Sequence, residues 1–151
     1  MATATTPLSL KGRALRLLSG REHSRFELQR RLAQFEEEPG ALAKALDELQ
    51  AKGFINEQRV IESVLNRRSA KLGTARIRQE LQGKGLAPEA VLDAVLQLRA
   101  TELDRAREVW RKRFGEPAAD AAERGKQMRF LASRGFSGDA IRKVVSDGGD
   151  D

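Results

Sequence analysis

Apolar residues recur every three or four positions along most of this chain, which is the spacing of one buried face on an α-helix. Leu42, Leu46 and Leu49 follow that spacing, for example. Runs in which apolar and polar residues alternate, as they do in half-buried strands, are missing. The pattern therefore predicts an all-α fold, with nine short helices between residues 10 and 148.

Several helix starts and stops can be read from local chemistry. Ser24 and Glu27 have the spacing of a capping box at the start of the second helix, in which each side chain accepts a hydrogen bond from the other residue's backbone N–H. Pro39 suits the first turn of the third helix, and Gly53 suits a left-handed residue just after its end. The fourth helix is predicted to end near Gly73.

The predicted sixth and seventh helices are consecutive. The sixth begins at Pro88 and has apolar positions as far as Leu98. The seventh is predicted from about Thr101 to Phe114, because apolar residues there again share one face. This division places a boundary between two repeats at residues 100 and 101.

Two segments of the chain repeat with an offset of 50 residues, namely 81–91 and 131–141. Each contains a helix end, a basic residue, a glycine (Gly85 or Gly135), an apolar residue, a short turn and a new helix start. The glycine is expected to have a positive φ, and the apolar residue after it to fill the gap between helices. A fixed period of this kind is typical of repeat proteins.

The repeat predicts three tandem three-helix units that form an elongated, curved array. The expected boundaries are a flexible N-terminus at 1–9, repeats at 10–55, 56–100 and 101–148, and a disordered acidic tail at 149–151. A unit of this size rarely has a sufficient core by itself, so neighbouring units should share one. A single compact bundle is the alternative.

The chain is moderately basic, with 28 Lys and Arg against 22 Asp and Glu and a net charge of +6. Such an excess suggests an acidic partner, such as nucleic acid or a nucleoprotein surface. The most basic stretch is 67–78, which has no acidic residue. Its five basic side chains are the candidate contacts to a partner or to DNA, with an ordinary solvated face as the alternative: Arg67, Arg68, Lys71, Arg76 and Arg78.

The residues of common catalytic sites are scarce. The chain has no Cys, and its one histidine, His23, precedes a helix cap, where an exposed turn residue or a part of the cap is expected. No Gly-rich nucleotide loop or nucleophile elbow occurs. We therefore expect no catalytic residues, no cofactor and no metal, and we do not expect an enzyme. The N-terminus lacks an apolar signal segment and no run could span a bilayer, which favours a cytoplasmic protein.

Two further features have a structural and a functional interpretation. Trp110 lies among basic residues and could stack on a base, but its spacing from Leu103 and Ala106 favours a place in the core. The three acids at 36–38 could bind a metal, although a solvated loop before a helix is the more ordinary interpretation.

Taken together, these segments resemble the RecX family of bacterial recombinase regulators, over residues 10–146. The resemblance is in the order and spacing of ALRLL (14–18) with SRFELQRRL (24–32), LDELQAKGFINE (46–57), KLGTARIRQEL (71–81) with KGL (84–86), and FLASRGFS (130–137). Asn56 and Thr74 stand where similar members often have Asp and Pro. Both residue types start helices, so the resemblance holds.

The resemblance implies tandem three-helix repeats and a regulatory role. RecX proteins bind the RecA recombinase, notably its filament on single-stranded DNA, and restrain strand exchange, ATP hydrolysis and the co-protease activity. We thus expect RecA to be the partner of a monomeric chain that acts in DNA repair, homologous recombination and the SOS response, with direct DNA contact as an option. The alternatives are a helical protein that binds DNA without RecA, and a scaffold for another protein.

Overall fold

Polar side chains cap the helices where the sequence predicts helix starts. The computed structural model describes residues 7–148. Residues 1–6 of the predicted N-terminal segment 1–9 and the whole predicted tail 149–151 lie outside it. Ser24 accepts a hydrogen bond from the Glu27 amide, and Glu27 in turn accepts one from the Ser24 amide, as the capping box predicts. Ser9, Asp120 and Ser137 cap three other helices, and each side chain accepts a hydrogen bond from the backbone amide three residues later.

The described residues form eight α-helices and one 3₁₀ turn. They are α1 (Leu10–Gly20), α2 (Arg25–Leu32), the 3₁₀ turn (Ala33–Phe35), α3 (Ala41–Ala51), α4 (Glu57–Arg68), α5 (Thr74–Gly83), α6 (Pro88–Arg113), α7 (Ala121–Ser133) and α8 (Gly138–Ser146). No strand occurs among them, which confirms the all-α prediction.

The predicted division between the sixth and seventh helices is wrong. Residues 88–113 form one helix, α6, of 26 residues. The physical reason is local, since neither Gly nor Pro occurs at the expected break, where Arg99, Ala100 and Thr101 all continue a helix readily. The three repeat boundaries stay a prediction, and residues 100 and 101 both lie within α6.

Two other helix termini lie at positions that differ from the predicted ones. The third helix begins at Ala41, two residues after Pro39, and its N-cap is Gly40 in a left-handed conformation, so Pro39 is not in its first turn. The fourth ends at Arg68, five residues before Gly73, and the chain between them forms turns. The glycines predicted to have positive φ do so: φ is 83° at Gly53, 67° at Gly85 and 92° at Gly135.

The chain divides into two compact units. The first contains described residues 7–60 with 84–86, and the second contains 61–83 with 87–148. In the first unit α1, α2 and α3 pack on one another, and in the second α6 packs on α5, α7 and α8. Between residues 7 and 148, no helix is long and apolar enough to cross a bilayer.

Each unit has its own buried apolar cluster. The first consists of Ala14, Leu28, Leu32, Leu42, Leu46, Leu49 and Ile55. A second cluster consists of Ala106, Trp110, Leu131, Phe136, Ala140, Ile141, Val144 and Val145. Leu86 and Phe136, the apolar residues that follow the repeat glycines, are both buried as predicted.

Candidate partner-binding groove

A groove of about 840 Å³ lies in the second unit, and half of the residues that line it are cationic. Twelve residues line it: Arg68, Ala70, Lys71, Leu72, Arg76, Gln79, Glu80, Val109, Lys112, Arg113, Phe130 and Arg134. Six of these are basic and one is acidic. An anionic partner would therefore meet a positive wall and an apolar floor. We call this surface the basic groove.

One side of the basic groove is the turn between α4 and α5, which a half-buried arginine holds in place. The Arg105 guanidinium donates to the Ser69 carbonyl at 3.0 Å and to the Leu72 carbonyl at 2.6 Å. It also donates to the Thr74 hydroxyl at 3.2 Å. Burial lowers the pKa of Arg105, and Glu102 nearby opposes that shift. These bonds fix the turn that carries Lys71 on its exposed side.

Two glycines bring the opposite sides of the groove together. The Gly73 amide donates to the Arg134 carbonyl at 2.7 Å, and the Ala75 amide donates to the Gly135 carbonyl at 3.3 Å. A Cβ on Gly73 would overlap the backbone of Gly135. The close approach therefore requires glycine at 73, and it places the start of α5 beside the end of α7.

Phe130 forms the aromatic part of the groove. The guanidinium carbons of Arg113 and Arg134 lie 5.2 and 4.8 Å from the centre of its ring, within the range of a cation–π contact. Its ring also meets that of Phe114 edge-on, with centroids 5.5 Å apart. Phe130 is only partly buried, so the groove presents two guanidinium groups around an aromatic ring.

Glu80 is the acidic residue of the groove lining, and it pairs with two arginines of this chain. One of its carboxylate oxygens accepts from Arg68 Nε at 3.1 Å, and the other lies 3.6 Å from Arg67 Nη2. Four of the other cations of the groove differ, whereas Lys112 lies 3.9 Å from a Glu108 carboxylate oxygen. Within residues 7–148, no carboxylate pairs with Lys71, Arg76, Arg113 or Arg134. Their charge is thus free to meet an anionic partner.

The structure brings three of the five candidate contacts into the groove. Arg68, Lys71 and Arg76 line it. Arg67 is at its margin, bound to the lining residue Glu80. Arg78 is exposed on α5 outside the lining. Arg76 also donates from Nη1 to the Ser133 carbonyl at 2.7 Å, which holds its side chain against α7. Contact between a partner and any of these five residues stays a prediction.

Four basic or aromatic residues of the lining were not predicted as contacts from the sequence, namely Lys112, Arg113, Phe130 and Arg134. They come from the end of α6 and from α7 and the turn after it, 34 or more positions after Arg78. The available signal was the run Arg111, Lys112, Arg113 in the last turn of α6. It resembles an ordinary basic helix end, which the helix dipole favours anyway.

The other candidate residues have structural roles. Trp110 is 2% exposed, and its indole N–H donates to Gln127 Oε1 at 2.9 Å, so the core interpretation is confirmed. The Glu36 carboxylate accepts from the Leu42 amide at 2.7 Å, near the start of α3. No group of three or more His, Asp or Glu side chains in the described residues could hold a metal ion.

His23 is buried, so the expected alternative of an exposed turn residue is wrong. Its side chain is 3% exposed, and Nδ1 lies 3.0 Å from the Arg21 carbonyl oxygen. Because a carbonyl only accepts, Nδ1 carries the hydrogen. Burial lowers the pKa of His23, while the Arg21 carbonyl acts in the other direction.

Comparison with known proteins gives one consistent result. A family model described as "RecX, first three-helix domain" matches residues 11–49, and another described as "RecX, third three-helix domain" matches residues 100–145. The chain is 54% identical over 145 residues to a protein of Leptothrix cholodnii named "Regulatory protein RecX", with 96% of this chain and 92% of that protein covered. It is 46% identical to a Ralstonia nicotianae protein of the same name, with 96% and 91% covered.

Solved structures agree with the fold. A crystal structure described as RecX from Lactobacillus salivarius matches with a TM-score of 0.74 and 20% identity, and covers 91% of this chain and 93% of that one. Another, described as regulatory protein RecX, matches with a TM-score of 0.72 and 19% identity, and covers 91% and 71%. At this identity, the likeness establishes the helical repeat fold alone.

Proposed function

Because this chain belongs to the RecX family, we propose that it is a regulator that binds the RecA recombinase and its filament on single-stranded DNA. It inhibits strand exchange, ATP hydrolysis and the co-protease activity of RecA, and so limits homologous recombination, DNA repair and the SOS response. It acts as a monomer in the cytoplasm, without a cofactor and without catalysis of its own.

The observation that supports a nucleoprotein partner is the basic groove. Its cations come from α4, α5, α6 and the turns that follow α4 and α7, and they line one concave surface. Arginine forks bind phosphate and carboxylate groups with two parallel hydrogen bonds. The partner charge is therefore either DNA phosphate or acidic side chains of RecA, and both occur on a RecA–DNA filament.

The proposed action follows from occupying such a surface. A chain bound along the filament places its groove cations against DNA phosphates or acidic side chains of RecA. Those groups would otherwise make contacts within the filament, between RecA protomers or between RecA and the strand. It thereby changes contacts between protomers, and blocks growth of the filament or speeds its disassembly. The contacts assigned to this role are the groove cations, with Arg67 and Arg78 as the remaining candidates.

The direct experiment measures ATP hydrolysis by RecA preassembled on single-stranded DNA while this protein is titrated from far below the RecA concentration. Wild-type protein is compared with the groove variant Lys71→Gln/Arg113→Gln/Arg134→Gln, which removes three unpaired, exposed charges. The control variant is Lys126→Gln/Arg129→Gln/Lys143→Gln. It removes three exposed charges from the same unit outside the groove lining.

We expect wild type and the control variant to inhibit alike, and the groove variant to require on the order of tenfold more protein, as three lost charge-assisted contacts predict. Inhibition at strongly substoichiometric amounts would indicate action at filament ends or on cooperative assembly. Equal inhibition by all three proteins would show that the groove is not the contact surface. No inhibition by wild type at equimolar amounts would refute the function itself.

Phe130 and its two guanidinium neighbours favour one alternative, a DNA-binding protein that acts without RecA. An aromatic ring among arginines can stack on a base while the cations meet phosphates. This alternative predicts tight, strongly salt-dependent binding to bare DNA and no effect on RecA. The same titration distinguishes the two functions when binding to bare DNA is measured beside it. Tight binding to DNA with no change in ATP hydrolysis at equimolar protein would favour this alternative.

A further inference from the structure

The first unit contains a separate recess that is also basic. It has a volume of about 250 Å³ and lies between α1, the end of α2 and the 3₁₀ turn after it. Its lining is Leu8, Arg13, Arg16, Leu17, Arg31, Leu32, Gln34 and Phe35. We call it the arginine recess. All its residues belong to the first unit.

The charge of the arginine recess has one sign. Its lining includes three arginines and no carboxylate. Within the described part of the chain, none of Arg13, Arg16 and Arg31 forms an ion pair. Clustered like charges repel one another, and here no internal anion offsets that repulsion. A bound anion would do so.

An arginine stacked on an aromatic ring forms one wall. The guanidinium carbon of Arg13 lies 3.7 Å from the centre of the Phe35 ring, which is the separation of two planar groups in van der Waals contact. Phe35 is 38% exposed, although it is a large apolar side chain. The recess thus offers a flat, partly exposed stack beside two further cations, Arg16 and Arg31, on its rim.

We propose that the arginine recess binds one nucleotide of a single nucleic-acid strand. The base stacks on the Arg13–Phe35 pair, and its phosphate lies between the guanidinium groups of Arg16 and Arg31. Bases stack on aromatic rings and on guanidinium planes, and arginine forks match phosphate oxygens. An acidic peptide would pair with the arginines of the recess, but it would offer no planar group to stack on the Arg13–Phe35 pair.

This site is distinct from the basic groove, and its occupation does not require RecA. The test therefore uses the whole protein and a bare strand. Binding of a fluorescent oligothymidylate is measured by anisotropy over a series of salt concentrations. The recess variant is Arg16→Gln/Arg31→Gln, and the control is Arg30→Gln/Lys44→Gln, which removes two exposed charges from the same unit outside the recess lining.

Loss of the one phosphate contact that Arg16 and Arg31 share should reduce the slope of log K against log salt by about 0.7, since each neutralised phosphate of a single strand contributes about 0.7. The affinity of the recess variant near 0.1 M salt should fall on the order of tenfold. The control should retain the wild-type slope. A separate Phe35→Leu variant keeps the charge and much of the apolar volume, and it should bind at least about fivefold more weakly because the stacking surface is lost.

Two competitors identify the occupant. Polyglutamate should displace less of the labelled strand than unlabelled oligothymidylate does. If polyglutamate competes equally and the recess variant weakens both ligands, the recess is a general anion site and the proposal is wrong. The same holds if the recess and control variants have equal slopes. If the recess proposal fails while the protein still inhibits RecA, the proposed regulatory function is unaffected.

Discussion

Gly73 has the most sharply constrained backbone position of the second unit, because a side chain there would overlap the backbone of Gly135. We expect Gly73→Ala to lower the free energy of unfolding by about 1–3 kcal/mol or more, as overpacking does. Gly83 is the matched control, since a Cβ there meets nothing within 4 Å and its φ is not positive. Gly83→Ala should be neutral or slightly stabilising. Urea unfolding of the two variants measures the difference, and equal midpoints would contradict the close approach.

His23 makes stability depend on pH in a defined direction. Burial lowers the pKa of His23 below the ordinary value of 6.5, so the unfolded chain binds the proton first as pH falls. The free energy of unfolding is therefore highest above about pH 6.5. It decreases as pH falls below that value, until the folded-state pKa is reached.

The variant His23→Gln removes this titration and retains a donor for the Arg21 carbonyl. We expect its urea midpoint to change less than that of wild type between pH 7.5 and pH 5.5, values about one unit either side of the histidine pKa. The Glu27 carboxyl does not interfere. Burial raises its pKa, but the Ser24 amide, Lys84 and Arg21 together hold it below 4.5. A parallel decline in both proteins would show that other groups cause the pH dependence.

Single residues were predictable where the backbone alone determines the conformation. Gly53, Gly85 and Gly135 follow helix ends, where a left-handed residue is required, and each has a positive φ. His23 and Gly73 were not predictable in this way. The burial of His23 and the steric need for glycine at 73 both depend on segments that are distant in the sequence.

At the scale of the element, α6 offers a direct test of its continuity. Ala100 is exposed near the middle of α6, so a substitution there changes little except the backbone. We expect Ala100→Pro to destabilise the protein by about 3 kcal/mol, and Ala100→Gly by about 1 kcal/mol. Two separate helices would tolerate proline at their junction, so thermal or urea midpoints near that of wild type for Ala100→Pro would contradict a single helix.

Helix starts were easier to predict than helix ends. The caps at Ser24 and Asn56 follow from side chains that accept backbone N–H bonds within three residues, and the structure contains both. The early end of α4 is different. It depends on Arg105, whose bonds to two carbonyl groups hold residues 69–73 as turns. A local pattern contains no information about such a distant partner.

At the scale of the whole molecule, the sequence predicted the helical repeat fold but only part of the basic groove. The stretch 67–78 is visible because its charges are adjacent in the sequence. Phe130 and Arg134 join the groove only through the packing of α7 beside the start of α5, which the contacts of Gly73 create. The arginine recess was missed for the same reason, since its charges come from α1 and from the end of α2.

The two basic surfaces should contribute independently to action on the RecA filament. They lie in different compact units, each with its own apolar cluster, and no residue lines both. Free energies of substitutions without shared partners usually add within about 0.3–0.5 kcal/mol. A protein that combines the groove and recess variants should therefore lose inhibition of RecA ATP hydrolysis by the product of the two separate factors, within about twofold.

The control for this combination removes the same number of charges elsewhere, at Arg30, Lys44, Lys126, Arg129 and Lys143. The combined variant and its control each have five positive charges fewer than the wild type, whose net charge is +6. The long-range attraction to DNA is therefore the same for both variants. If the control loses as much inhibition as the combined variant, net charge and not the two surfaces determines binding. If the combined variant inhibits as well as the groove variant alone, the arginine recess does not act on the filament, and its strand contact belongs to bare DNA only.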